Sequence, residues 1–197
     1  MGLQSVRVAI LVSAAACCLA ACGPAPAPHP ITADPHSLVI SLADLPGWKV
    51  DAPNFGLISD PRKMLGDSSD ATPYTNNGWV RAYEADFRSE STTGAQSISV
   101  LVSVFRDPGG AQSFFMQGIG GQDPGGQPIS PVPALGARSR IFRQNVDAPP
   151  GGAGTLWYWF CWQDRNVLAR VLVKGPPEAE SAAVRFTQRE AEIIQRH

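Results

Sequence analysis

The fold is decided by one stretch near the middle of the chain, Ser97-Ile98-Ser99-Val100-Leu101-Val102-Ser103-Val104-Phe105. Its branched residues at even positions share one side, and serines occupy much of the other side. Alternation of this kind is typical of a β-strand with one buried side. The stretch therefore predicts a sheet that turns one face to a hydrophobic core. Residues 52–77 and 118–133, before and after it, are rich in Pro and Gly and are predicted as loops.

A second apolar stretch, Thr155-Leu156-Trp157-Tyr158-Trp159-Phe160-Cys161-Trp162-Gln163, is aromatic on both sides. We expect such a strand in the middle of a sheet, with helices on one side and other structure on the opposite side. The turn residues Asp164-Arg165-Asn166 lead into an apolar run over residues 167–173. This sequence of strand, turn and strand predicts a hairpin.

Further strands are indicated over residues 79–87 and 138–144. A short helix is predicted to begin at Asp107-Pro108, where Asp is a favoured N-cap and Pro a favoured first residue. A final helix is predicted after Gly175-Pro176-Pro177-Glu178, because apolar residues recur there with helical spacing. Its stripe comprises Ala179, Ala182, Ala183, Phe186, Ile193 and Ile194. The order ββαβββα predicts an α+β fold, an antiparallel sheet of about five strands with two helices packed on one face.

The first residues are typical of a secretory leader. Arg7 supplies a positive charge, residues 8–12 are apolar, and small residues follow. The segment Leu19-Ala20-Ala21-Cys22 resembles the lipobox of bacterial lipoproteins. This resemblance implies cleavage before Cys22, which makes residues 1–21 a lipoprotein signal peptide, and acylation of the Cys22 sulfur and new amino group. The alternative is an ordinary secreted protein that is cut nearby and leaves Cys22 bare.

Residues 22–36 are predicted to be a tether that follows the lipidated cysteine. Alternating prolines from Pro24 to Pro30 favour an extended spacer of about 3.1 Å per residue. Residues 37–197 are then a single globular domain on the extracytoplasmic side of the cell envelope. The lipoprotein resemblance implies that a lipid on Cys22 attaches it to the plasma membrane. In a cell with two membranes it implies the outer membrane, because Gly23 and not Asp follows the cysteine.

Charge and cysteine content exclude several classes of protein. The formal net charge is −1, so nothing in the composition favours binding to nucleic acid. Cys17 and Cys18 leave with the leader and Cys22 carries lipid, so Cys161 is the remaining thiol. An intramolecular disulfide in the domain is therefore excluded. Aromatic neighbours predict that Cys161 is a buried core residue and not a reactive thiol.

Histidine placement argues against most catalytic and metal sites. His29 and His36 lie in or beside the predicted tether, and His197 ends the chain. A Ser-His-Asp or Cys-His site needs a histidine held rigidly beside its nucleophile, and zinc sites use histidines or several cysteines. We therefore predict no catalytic residue, no metal and no cofactor.

Two carboxylates leave one enzymatic alternative open. Glu84 and Asp86 point to the same side of a predicted strand and suggest a glycosidase-like pair. Such pairs usually come from separate elements, and acids on strand surfaces are common. A hydrolase or transferase acting on envelope polymer is therefore the alternative interpretation.

The aromatic strand supplies the candidate ligand-binding residues. Trp157 and Trp159 share one side of it and could line an apolar pocket or stack against a ligand. Arg138, Arg140 and Arg170 are candidate polar residues at its rim. The alternatives are that the tryptophans fill the core and that the arginines are ordinary surface residues.

The start of the predicted domain carries a second resemblance. Asp44-Leu45-Pro46-Gly47-Trp48, followed by a sheet with two helices, is similar to extracytoplasmic sensor-type domains on actinobacterial lipoproteins and receptor kinases. That resemblance assigns no functional residue. The overall expectation is a non-enzymatic, membrane-anchored envelope lipoprotein that binds a small apolar or amphipathic ligand or a partner protein.

Overall fold

An antiparallel sheet forms the centre of the computed structural model. The model describes residues 29–51, 56–65, 70–90, 94–119, 126–129, 134–145 and 154–197. The predicted signal peptide 1–21, Cys22 and the first part of the predicted tether lie outside the described residues.

Eight strands are present in the described part of the chain, and all of them pair antiparallel. They are β1 Lys49–Val50, β2 Gly56–Ile58, β3 Trp79–Arg88, β4 Ser97–Phe105, β5 Gln127–Pro128, β6 Arg138–Asn145, β7 Leu156–Asp164 and β8 Val167–Gly175. Their spatial order is β1-β3-β4-β8-β7-β6-β5, and β2 pairs with β3 on the same edge as β1. Strands β4, β8 and β7 therefore lie in the middle of the sheet.

The long strands confirm the predicted α+β class and the order of the main elements. Each of the five predicted strands is present, with ends that differ by at most two residues. The predicted number of about five strands is nevertheless wrong, because β1, β2 and β5 add to the sheet. These strands are two or three residues long, which is too short for alternation to be recognised, and they lie in or beside Pro- and Gly-rich sequence.

Four α-helices lie within the described ranges. They are α1 Arg62–Leu65, α2 Thr72–Asn76, α3 Pro108–Phe114 and α4 Glu180–Gln195. A π-helical turn, Phe115–Ile119, continues α3, and short 3-10 helices occur at Pro35–Leu38, Leu42–Asp44 and Pro177–Ala179. In this part of the chain, every helix is too short or too polar to cross a bilayer.

One face of the sheet, called the α4 face below, carries most of the core. It consists of even-numbered residues of β4 and β7 and odd-numbered residues of β8, among them the fully buried Val100, Phe160 and Val171. Helix α4 packs on it through Ala183 and Ile194. The N-terminal segment, residues 31–45, packs on the same face. Its buried apolar residues are Ile31, Leu38, Val39, Ile40 and Leu45.

The opposite face, called the tryptophan face below, carries Trp157 and Trp159. The prediction that both helices pack on one face is wrong, because α3 packs on this second face. Phe114 and Phe115 join a separate hydrophobic cluster with Phe105 and with residues of four other strands. The physical reason is the short connection after β4. Asp107 caps α3 by accepting the Gly110 amide at 2.8 Å, so the helix begins at once beside the face on which Phe105 lies.

The N-terminal segment is fixed to the β7–β8 hairpin by one side chain. Asn166 Oδ1 accepts the Ile31 amide at 2.6 Å, and Asn166 Nδ2 donates to the carbonyls of Ile31 and Phe105 at 3.0 and 2.8 Å. Ile31 is only 2% exposed. Residues 22–36 were predicted to be a tether, but part of this range is therefore packed into the domain.

Candidate functional site

Three neighbouring strands place the candidate residues in rows across the tryptophan face. The central row is Phe142, Trp159 and Leu172, which pair across β6, β7 and β8. One row towards the hairpin lie Arg140, Cys161 and Arg170. One row away from the hairpin lie Gln144, Trp157 and Lys174. These nine residues are called the aromatic shelf below.

The rings of the aromatic shelf lie against one another. Phe142 and Trp159 are stacked, with ring centroids 5.7 Å apart and an angle of 15° between planes. Trp157 is tilted by 35° to Trp159 at 6.5 Å. All three side chains are half-buried, and none belongs to either hydrophobic cluster of the described residues. The tryptophans of the shelf therefore differ from Trp162, which lies fully buried on the α4 face of the same strand.

Positive charges lie on both sides of the central row. Arg140 and Arg170 are the cross-strand neighbours of Cys161, and Lys174 Nζ lies 5.6 Å from the centre of the Trp157 ring. A cation at that distance is attracted to the face of an indole ring. The shelf thus combines apolar rings with three cationic side chains.

Cys161 is buried, as predicted, and is unsuited to nucleophilic chemistry. Burial raises the pKa of its thiol to about 11, although the charges of Arg170 and Arg140 act in the opposite direction. Because the thiolate is the reactive form, a thiol with this pKa stays neutral at physiological pH. The residue serves as packing between the two arginines.

Glu84 and Asp86 lie on the tryptophan face of β3, so the structure does place both acids on one side. Glu84 Oε1 accepts from the Arg170 guanidinium at 3.2 Å and from the Ser99 hydroxyl at 3.3 Å. Burial raises the pKa of Glu84, while the Arg170 charge opposes the shift and Asp86 adds to it. The carboxylate is thus half-buried and paired with an arginine of the shelf, which is the arrangement of a counter-ion.

Arg138 lies apart from the other predicted residues. It shares the tryptophan face but stands two rows from Trp159, and its guanidinium donates to Gln163 Oε1 at 3.2 Å. There it lines a cleft of about 460 Å³ at the hairpin end, together with Pro108, Arg165 and Gln195. Of the predicted site residues, Trp157, Trp159, Arg140 and Arg170 come together and Arg138 does not.

The sequence reasoning did not identify Phe142, Leu172 or Lys174 as part of the site. Phe142 has the same parity as Arg138 and Arg140 in its strand, so alternation could have placed it beside them. Lys174 lies one residue beyond the predicted end of its strand. The cross-strand register determines which residues face Trp159, and this register cannot be derived from one strand alone.

A second cleft lies on the α4 face, between the N-terminal segment and β3. Its volume is about 660 Å³, and its lining includes His36, Asp44, Tyr83 and Arg196. Its polar groups are engaged locally. The His36 ring lies 4.7 Å from that of Tyr83, and Asp44 accepts from Arg189 at 2.8 Å. Among the residues described, no group of three or more His, Cys, Asp or Glu side chains could hold a metal.

Two buried nitrogen atoms of the shelf have no hydrogen-bond partner in the described structure. They are Trp159 Nε1 and Arg170 Nε. Buried polar groups are normally paired, and leaving a donor unpaired costs about 1–3 kcal/mol.

Comparisons with known proteins show a fold and no family. No protein-family model matches the sequence, and no curated protein matches it. Among solved structures, the extracellular domain of PknH from Mycobacterium tuberculosis is similar, with a TM-score of 0.51 and 12% sequence identity. The match covers 85% of this chain and 97% of that domain. The chain therefore shares the fold of an extracellular domain, in agreement with the predicted sensor-type resemblance.

Proposed function

We propose that this protein is a lipid-anchored extracytoplasmic protein without enzymatic activity, and that its domain binds a small amphipathic ligand on the aromatic shelf. The observation that carries this proposal is the contrast within β7. Phe160 and Trp162 are fully buried under α4, whereas Trp157 and Trp159 remain half-buried beside three cations. Apolar rings with a few polar groups at their edge are the usual lining of small-molecule sites.

Two features favour binding over catalysis. The Glu84 oxygen that faces the shelf already accepts from Arg170 and Ser99, so it is engaged as their partner within the protein. The Cys161 thiol is neutral and buried. The alternative, a carboxylate-based hydrolase or transferase, has no comparable support from the geometry.

Membrane attachment through a lipid on Cys22 is the second part of the proposal. Eight residues, and thus nine residue-to-residue steps, lie between Cys22 and Ile31, which Asn166 holds at the hairpin end. An extended Pro-rich chain of that length reaches roughly 28 Å, at about 3.1 Å per residue. The tether would then leave the hairpin end close to the bilayer and the aromatic shelf free for a ligand.

Native mass spectrometry of the full lipoprotein, extracted in mild detergent, tests the binding proposal. We expect a retained small molecule on the wild type and its loss in Trp159→Ala. The matched control is Trp48→Ala, because Trp48 is also half-buried but packs against Phe186 on the α4 face, with ring centroids 5.4 Å apart. Thermal melts would establish that both variants fold. An adduct that is absent from the wild type, or that survives Trp159→Ala, would contradict the proposed site.

Cell fractionation of Cys22→Ser tests the anchor. The wild type is expected in the membrane pellet and the variant in the soluble extracytoplasmic fraction, since two or more acyl chains give stable anchoring. Cys161→Ser is the control, because it removes a cysteine from the domain and leaves the lipobox intact. Continued sedimentation of Cys22→Ser with membranes would overturn lipid attachment at this residue.

A further inference from the structure

We infer that the ligand of the aromatic shelf is an anionic amphiphile, with its apolar part on the row Phe142, Trp159 and Leu172 and its acidic group against Arg140 and Arg170. This inference rests on the proposed function and names the chemical class of the ligand. The alternatives within that function are neutral and cationic amphiphiles.

The arrangement of charge on the shelf carries the inference. Three of its nine residues are cationic, namely Arg140, Arg170 and Lys174, and none is acidic. Glu84, which pairs with Arg170, lies on β3, which is separated from β8 by β4. Counted together with Glu84, the shelf has three cationic side chains against one carboxylate, and this excess of positive charge favours an anion and disfavours a cation.

The spacing of the rows fits a molecule with one acidic end. Arg140 precedes Phe142 by two residues on β6, and Arg170 precedes Leu172 by two residues on β8. Residues two apart on a strand point to the same side and are about 6.6 Å apart. An acidic group at the arginine row would thus lie next to an apolar segment on the central row.

The unpaired donors supply the hydrogen bonds that such a group needs. Arg170 uses its NH2 nitrogen on Glu84, while its Nε and the Nε1 of Trp159 are without acceptors in the described structure. These two side chains are diagonal neighbours on adjacent strands, because Arg170 pairs with Cys161 and Trp159 pairs with Leu172. A carboxylate, sulfonate or phosphate group that reaches between the two side chains would meet both donors, which are buried in the present structure.

The test compares ligands that share a chain and differ in charge. The protein is the mature chain, residues 22–197, with Cys22→Ser, so that neither bound lipid nor detergent competes. It is titrated with decanoate, 1-decanol and decylammonium below their aggregation concentrations, followed by calorimetry. We expect decanoate to bind at least about tenfold more tightly than decanol, since a charge-assisted hydrogen bond has that effect on affinity. Decylammonium should bind more weakly than decanol.

Variants identify the group responsible for the preference. Arg140→Gln is expected to bring the decanoate affinity down to that of decanol, and Arg140→Lys, which keeps the charge, is expected to retain most of the preference. Arg138→Gln is the control, because Arg138 lies on the same strand and face but outside the shelf. Acetate at the same concentrations should not displace decanoate, because the apolar row is needed for affinity.

The outcomes separate this inference from the proposed function. Equal binding of decanoate and decanol would overturn the inference and leave the proposed amphiphile site in place. Displacement by acetate would show an anion site without an apolar part, which also overturns the inference. Absence of binding by all three amphiphiles would overturn both proposals.

Discussion

Neighbouring residues of β7 enter two different environments. Phe160 is fully buried on the α4 face, where it packs with residues of α4 and the N-terminal segment. Trp159 is half-buried on the tryptophan face, stacked on Phe142 beside arginines. A single strand therefore serves the hydrophobic core with one side and the candidate ligand site with the other. Stability and binding should be separable by mutation at adjacent positions.

The two faces of the sheet also differ in the burial of their ionisable side chains. Among the described residues, the α4 face encloses one fully buried carboxyl group, that of Glu190. The tryptophan face carries several charged side chains that stay partly exposed, among them the Arg170–Glu84 pair. Burial of a charge is costly unless it is paired, so the α4 face is compatible with a neutral group only.

The first prediction compares Phe160→Ala with Trp159→Ala. Deleting a fully buried ring leaves a cavity and costs about 3–5 kcal/mol, so Phe160→Ala should reduce the free energy of unfolding by this amount. Trp159→Ala removes a half-buried ring and should cost on the order of 1–2 kcal/mol. Urea denaturation at one pH measures the free energy of unfolding of both variants. Equal losses would show that the tryptophan face is as closed as the α4 face.

The second prediction concerns pH and the buried carboxyl group. Burial raises the pKa of Glu190 to about 8, the Ile40 amide that donates to Oε2 at 2.7 Å opposes the shift, and Asp44 adds to it. The folded protein therefore holds a proton that the unfolded chain releases near the ordinary glutamate pKa of 4.5. Its stabilising contribution is full below that value and is lost as the pH rises through about 8.

The expected loss between pH 5 and pH 9 is on the order of 2–4 kcal/mol in the free energy of unfolding. The window lies below the raised pKa values of Cys161 and Tyr158, about 11 and about 12. Glu190→Gln should remove most of the pH dependence of stability in this window. Glu192→Gln, an exposed carboxylate on the same helix, should retain the wild-type dependence. A flat wild-type profile would mean that Glu190 is charged in the folded state.

The third prediction addresses the attachment of the N-terminal segment. Asn166→Ala removes three hydrogen bonds and leaves the Ile31 amide without its acceptor, so we expect a loss of roughly 2–3 kcal/mol in stability. The loss should be local. Hydrogen exchange of residues 31–45 should accelerate more than that of β6 and β7. Uniform acceleration across the sheet would show that the segment and the sheet unfold as one unit.

The alternation of buried and exposed side chains along the strands explains which parts of this fold could be predicted from the sequence. The side-chain period of two in residues 97–105 and the aromatic run around Trp159 were sufficient to place β4, β7 and the β7–β8 hairpin. The side on which α3 packs was not predictable, because a short connection after Phe105 can lead to either face. Glu190 was also missed, since a carboxyl group inside a helical stripe is ordinarily assigned to the solvent side.

For the candidate site, too, alternation predicted only part of the arrangement. Trp157 and Trp159 share a side by alternation, and a hairpin makes Arg170 a plausible neighbour. The identity of the third partner depends on the register between β6 and β7, which no local pattern specifies. Phe142 was therefore missed, while Arg138, two rows away, was included.

The last prediction has the smallest expected effect. It concerns Lys174, in the row of the shelf that lies away from the hairpin. Lys174→Gln removes the charge 5.6 Å from the Trp157 ring, and at a partly exposed site this contact contributes about 0.5–1 kcal/mol. Stability should therefore fall by less than about 1 kcal/mol in urea denaturation. Lys63→Gln, a change of the same kind at a residue exposed on α1, is the matched control and should have no measurable effect. A loss as large as that of Phe160→Ala would mean that this row belongs to the core, and the separation of the two faces would then fail.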